Sequence, residues 1–255
     1  MVSSEVLAGK KLMRSGNRQS DQLRPVSITR RFTQAAPGSV LIQAGQTLLF
    51  CTASIEPTVP AWLVGQGRGW ITAEYSMLPG STNPRKQRER AGRLDGRTSE
   101  IQRLIGRSLR AVCDLNALGE RSIVVDCDVL QADGGTRTLA ITGALVALVD
   151  ALESIRHELP NPQQSPLRDS VAAVSVGVVD GQLLLDLDYS EDARAAVDMN
   201  VVMTGSGRLV EVQASGEMAT FTEADLQALL SLARRGIEQL TALQRQVLGQ
   251  HWPAG

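Results

Sequence analysis

Two arginines in this chain stand at glycine-framed turns that should open helices. Arg97 lies in Asp95-Gly96-Arg97-Thr98, and Arg137 lies in Asp133-Gly134-Gly135-Thr136-Arg137-Thr138. Glycines allow tight turning and close backbone approach. A helix start offers unpaired amides and the positive end of the helix dipole. Thr136 adds a hydroxyl donor, and each guanidinium is a forked cation suited to phosphate oxygens. Arg97, Gly135, Thr136 and Arg137 are therefore candidates for holding a phosphate. Neither string is a Walker loop or a dinucleotide fingerprint. Both also read as ordinary turns, one with a capping threonine and one with a solvated arginine. A cation at a helix mouth opposes the dipole, a cost recovered when an anion sits between Arg97 and the amides.

Two further sets carry charge. The run Arg85-Lys86-Gln87-Arg88-Glu89-Arg90-Ala91-Gly92-Arg93 concentrates cations in a chain of net charge -1. A phosphodiester backbone suits such a run, and a solvated charged loop is the plain alternative. No aromatic interrupts it, so contact there would not read sequence. The acids Asp186, Asp188, Glu191, Asp192 and Asp198 form the second set. Solvent at a strand end is the expected setting for most of them. With only His157 and His251 in the chain, these acids are nevertheless the best candidates for a hard cation. Mg²⁺ takes one or two carboxylates plus substrate phosphates and water. Asp192 and Asp198 flank the small residues 193–197 and lead that set.

These groups need a scaffold. The chain has 255 residues, 43% hydrophobic and 21% charged, as expected of a globular protein. Two histidines leave no multi-histidine metal site, and 3% aromatics are too few for a protein that grips single strands by stacking. Three cysteines without metal spacing point to a reducing compartment. No run suits a signal peptide or a membrane span, so a cytoplasmic protein with no membrane partner is expected.

Alternation predicts a strand, turn and strand over 40–53 and a strand over 123–130. Helical spacing predicts helices over 98–115 and 138–155, the second apolar nearly all round and so buried. Residues 77–96 read as a long loop. After a Pro-rich linker at 160–166 come two hairpins, turning at Asp180-Gly181 and Gly205-Ser206-Gly207, and a long helix capped by Thr222 with Asp225. The fold class is α+β in two similar halves: a flexible extension over 1–17, a first domain over 18–157 and a second over 168–248. A faint echo between Gly45-Gln46 and Gly181-Gln182 supports duplication.

Longer strings resemble the RNase PH family of phosphate-dependent 3′→5′ exoribonucleases. They are Gln22-Leu23-Arg24-Pro25, the stretch 69–79, Gly96-Arg97-Thr98 running on to Arg107, the stretch 126–138, and the stretch 197–204. The resemblance implies two pseudo-repeated halves and a homohexameric ring built as a trimer of dimers. It implies a nucleotidyltransferase that trims tRNA precursor 3′ ends with inorganic phosphate as co-substrate and releases nucleoside diphosphates. It places phosphate on Arg97, Gly135, Thr136 and Arg137, RNA on Arg85 and Arg88, and catalysis with Mg²⁺ or Mn²⁺ on Asp192 and Asp198. Either acid could instead protonate the leaving oxygen.

The chain departs from the family pattern at four places. Gly16-Asn17-Arg18 stands for Asp-Gly-Arg, and Val64 and Gly80 stand where arginines are usual. The basic loop is one residue shorter. Lost cations predict weaker RNA binding with a flatter salt dependence. The competing readings are a non-catalytic RNA-binding ring subunit and an unrelated phosphate-ester enzyme.

Overall fold

The computed structural model describes residues 14–88, 95–217 and 219–253. The first half is built on a five-stranded sheet ordered β1-β2-β3-β5-β4, with β1 Val26–Arg30, β2 Gly38–Ala44, β3 Thr47–Glu56, β4 Trp70–Met77 and β5 Ser122–Gln131. Only β4 and β5 pair in parallel. A parallel pair needs a long crossover, which residues 78–121 supply, including α1 (Gly96–Ala111) and the short α2 (Leu115–Leu118).

The second half is a four-stranded antiparallel sheet ordered β7-β6-β8-β9, with β6 Val171–Val179, β7 Gln182–Leu185, β8 Val197–Thr204 and β9 Leu209–Ser215. Between the sheets runs α3 (Thr136–Ser154), packed on β2 and β3 on one side and on β6 on the other. Every residue from Thr138 to Leu152 is buried, hence a sequence apolar nearly all round. The far face of β6 is covered by α5 (Glu223–Leu248), so β6 is buried on both faces and lacks polar alternation. The layers run sheet, helix, sheet, helix.

One core cluster crosses the halves: Val171, Ala173, Val202 and Leu248 join the residues packed under the first sheet. Gln244 of α5 is fully buried and donates to the carbonyls of Thr142 and Val171 at 2.9 and 3.1 Å. The three cysteines are buried and free. No helix among the described residues is long and apolar enough to cross a membrane.

The expected helices and hairpins are present, with ends shifted by a few residues. The Asp180-Gly181 turn has both residues at positive φ, 49° and 75°, as the tight hairpin requires. Thr222 and Asp225 form the capping box. The first hairpin turns at Gly45-Gln46 and the second at Asp180-Gly181, so the apparent echo is one residue out of register. The strands β1 and β4 lie outside the predicted elements.

Residues 1–13 of the expected extension lie outside the described residues. Its last residues are a correction. Arg14 is buried and pairs with Glu191 at 2.7 Å, so this segment is docked rather than flexible.

Candidate active site

The strand β5 delivers the chain to residues 133–135, and α3 begins immediately after them. Gly134 and Gly135 have φ of 76° and 65°, which few other residues adopt. Space forbids a side chain as well. A Cβ on Gly134 would lie 2.6 Å from the Leu187 carbonyl oxygen of the second half. The loop is pinned from below. Thr47 Oγ1 donates to the Gly134 carbonyl at 2.8 Å and accepts from the Asp133 amide at 3.0 Å. Thr136 is buried, its hydroxyl 2.8 Å from that of Tyr75 on β4. The cap residue Gly135 has no side chain to spend on the first-turn amides of α3, so that end stays available to an anion.

The start of α1 differs. Asp95 caps it, accepting from the Thr98 amide at 2.6 Å, and that bond is the main reason its carboxyl sits below the usual range. The expected anion-receiving amides at this helix start therefore already face a carboxylate. Arg97 itself is exposed and makes no hydrogen bond or ion pair with the described residues. Arg137 is held by Glu100 at 3.3 Å and by the side-chain amide oxygen of Gln213 at 3.0 Å.

The two arginines act on common neighbours. Burial raises the Asp192 carboxyl, while Arg97 and Arg137 both oppose that rise. Burial also raises the Tyr75 phenol, opposed by its bond to Thr136 and by the charges of Arg97, Lys86 and Arg137. Thus the arginines at the starts of α1 and α3 both act electrostatically on the carboxylate at the end of α4 (Tyr189–Asp192).

Asp198 projects from β8. Its carboxyl is raised first by burial, then by Asp192 and by Glu217. Its Oδ1 is buried and has no hydrogen-bond partner among the described residues. An orphaned carboxylate oxygen next to a second carboxylate is the donor set a hard cation takes. No group of three or more His, Cys, Asp or Glu among the described residues could hold a metal ion, so remaining ligands would come from substrate and water. Arg85 and Arg88 are exposed beyond β4; Arg90 and Arg93 lie outside the described residues.

The other three acids are a correction. Asp186, Asp188 and Glu191 are buried, not solvent-facing. Glu191 pairs with Arg14 and Arg18 at 2.7 and 3.4 Å, and Asp186 pairs with Arg24 at 2.7 Å. Asp188 caps α4 and lies 3.7 Å from Arg18. Tyr75, which bonds Thr136, and Lys86 and Glu217, whose charges act on this group, are not assigned to the site from the sequence. The apolar alternation Ile71, Ala73, Tyr75 was available as a signal for the first. Nothing local marks Glu217.

Residues 22–152 match the model of the 3′ exoribonuclease family, domain 1, and residues 169–236 match domain 2 of the same family. The chain is 58% identical over 235 residues to a protein named Ribonuclease PH from Rhodopirellula baltica, covering 91% of this chain and 96% of that one. Rice Rrp46 shares the fold at a TM-score of 0.74 and 20% identity, covering 92% of this chain and all of that one. An Archaeoglobus fulgidus exosome chain, solved with RNA bound to the active site, also gives a TM-score of 0.74, at 22% identity over 90% of this chain and 91% of that one. Two matched family domains and a relative of this identity over nearly the whole chain place it: the chain belongs to the ribonuclease PH family of phosphorolytic 3′ exoribonucleases, enzymes of the nucleotidyltransferase class.

Proposed function

We propose that the chain shortens tRNA precursors from their 3′ ends, using inorganic phosphate held by Arg97, Gly135, Thr136 and Arg137. RNA of n+1 nucleotides and phosphate give RNA of n nucleotides and a nucleoside diphosphate. The observation that carries this reading is the open Gly134-Gly135 loop, which leaves the first amides of α3 uncapped beside Thr136 and Arg137; the charges of Arg97 and Arg137 both act on Asp192 and Tyr75. Attack of phosphate on a phosphodiester brings two anions together. Two guanidinium groups and the free amides at the start of α3 offset that repulsion without rearranging. Phosphate is already nucleophilic near neutral pH, so no catalytic histidine is needed.

Asp192 and Asp198 would hold Mg²⁺ or Mn²⁺; the lone Oδ1 of Asp198 supports the assignment. When bound, such an ion stabilises charge on the transferred phosphoryl group and the leaving 3′ oxygen. The raised carboxyls of both acids equally suit protonation of that oxygen. Arg85 and Arg88 contact the RNA backbone. Cytoplasmic location follows from that substrate, and a homohexamer of three dimers is the expected assembly.

Labelled tRNA precursor incubated with and without inorganic phosphate tests the reading. Release of nucleoside diphosphates only with phosphate is expected; equal rates without phosphate, or release of monophosphates, rejects it. Retained RNA binding with no turnover under any condition would favour the non-catalytic ring subunit.

A further inference from the structure

We infer that Arg24 is a positioning residue that sets the phosphate-binding loop against the acid-bearing segment. The inference rests on the reading of residues 133–137 as the phosphate site. Arg24 is 5% exposed. Its fork closes on Asp186, Nε to Oδ2 at 3.0 Å and Nη2 to Oδ1 at 2.7 Å, and its backbone amide donates to the same carboxylate at 2.7 Å. The other edge of the guanidinium donates to the phosphate loop: Nη1 to the Asp133 carbonyl at 2.5 Å and Nη2 to the Gly134 carbonyl at 3.4 Å. Nη1 also reaches Thr47 Oγ1 at 3.3 Å, the hydroxyl that pins the loop from below.

One planar group therefore bonds the loop before α3 and the carboxylate that begins the turn leading to Asp192. That geometry matters because the proposed phosphate and acid positions come from different halves. Two glycines keep the space open. A Cβ on Gly45 would lie 2.7 Å from Arg24 Cδ, and one on Gly135 would lie 2.9 Å from Nη2. The guanidinium is not a free cation, since it bonds Asp186 and the Asp133 and Gly134 carbonyls; burial lowers its pKa, but the bond and charge of Asp186 together with the charges of Asp133 and Asp188 raise it overall. Arg24 would act through the loop, and a displacement of about 1 Å there can cost about a hundredfold in rate. Lysine cannot reproduce a fork that bonds a carboxylate and two carbonyls together.

The test uses the full-length enzyme, with phosphate KM and kcat measured separately, far below the melting temperature. R24K and R24Q are expected to raise phosphate KM about tenfold or more and to lower kcat, with RNA affinity in the absence of phosphate unchanged. R24K keeps charge and bulk, so the test survives if R24Q does not fold. The control is R30Q. It breaks another partly buried arginine–aspartate pair, Arg30 with Asp150, and should lower the melting temperature while leaving phosphate KM unchanged. The double variant R24Q/D186N should regain stability by removing both charges without regaining phosphate affinity. Unchanged phosphate KM in R24K and R24Q, or an equal rise in R30Q, overturns the positioning role. If R137A also leaves phosphate KM unchanged, it is the phosphate-site reading itself that falls.

Discussion

Two clusters of arginines and acids lie in the second half's reach, and they treat charge in opposite ways. At the joint between the halves, Arg14, Arg18 and Arg24 are buried with Asp186, Asp188 and Glu191, and every one of them is paired. At the candidate site, Arg97 makes no bond to the described residues, and Asp198 keeps an orphaned oxygen. The acidities follow. Burial would raise Asp188, but Ser15, the Glu191 amide, Ser190 and Arg18 bring it below its usual range. Burial raises Asp198, and its neighbours Asp192 and Glu217 raise it further. Identical residue types thus build a strut that ends at Glu191 and a receptive site that begins at the next residue, Asp192; an unbonded arginine and an orphaned carboxylate oxygen separate them.

The strongest way to break this contrast is Asp198→Asn. A loss of turnover of roughly 10³-fold is expected, the upper range for removing one charge-handling group; a near-normal rate would end its assignment. The same change should raise the melting temperature at neutral pH. A group whose folded pKa is raised favours folding below its unfolded pKa and loses that contribution as pH rises through the folded value. The stabilisation should therefore shrink in acid, which thermal melts across pH would register.

Glu191→Ala attacks the strut instead. It strands Arg14, whose acid partner among the described residues is Glu191, while Arg18 keeps Asp186 and Asp188; breaking such a buried pair costs about 3–5 kcal/mol, read from denaturant unfolding. Arg137→Ala should lower phosphorolysis about a hundredfold and leave tRNA binding largely intact; equal loss of both contradicts its role. Asp188→Asn should destabilise with the opposite sign to Asp198→Asn. A depressed carboxyl contributes above its unfolded pKa and loses that contribution as pH falls through the folded value, so variant and parent should converge in acid.

The smallest effects concern the replaced arginines. Val64 is 67% exposed, and a Cβ on Gly80 meets nothing within 4 Å. Val64→Arg and Gly80→Arg should each strengthen RNA binding and steepen its salt slope by about 0.7 per new phosphate contact. A flat slope in binding titrations places those positions off the RNA path.

Much of the fold was legible because its signals are local. The capping box at Thr222, the tight turn at Asp180-Gly181 and the apolar circumference of α3 each depend on neighbouring residues. β1 was missed because Val26–Arg30 is a short edge strand with polar residues on its outer face. The strand β4 carries the local alternation Ile71, Ala73, Tyr75, but nothing local points to its pairing with β5 across a long parallel crossover. The phosphate loop stood out through its glycines. Acids at 186, 188 and 191 were misplaced for the converse reason: their partners lie more than 160 residues earlier, and no local pattern distinguishes a paired buried carboxylate from a solvated one.

The hydrophobic cluster shared by Val171, Ala173, Val202 and Leu248 has a consequence for how this chain can be cut. A nick at the proline-rich connection near residue 162 would sever the backbone while the fragments stayed clasped around α3. Expressed alone, each fragment would leave uncovered the surface it gives to this shared cluster. The two halves are therefore interdependent, joined by side chains as firmly as by the backbone between them.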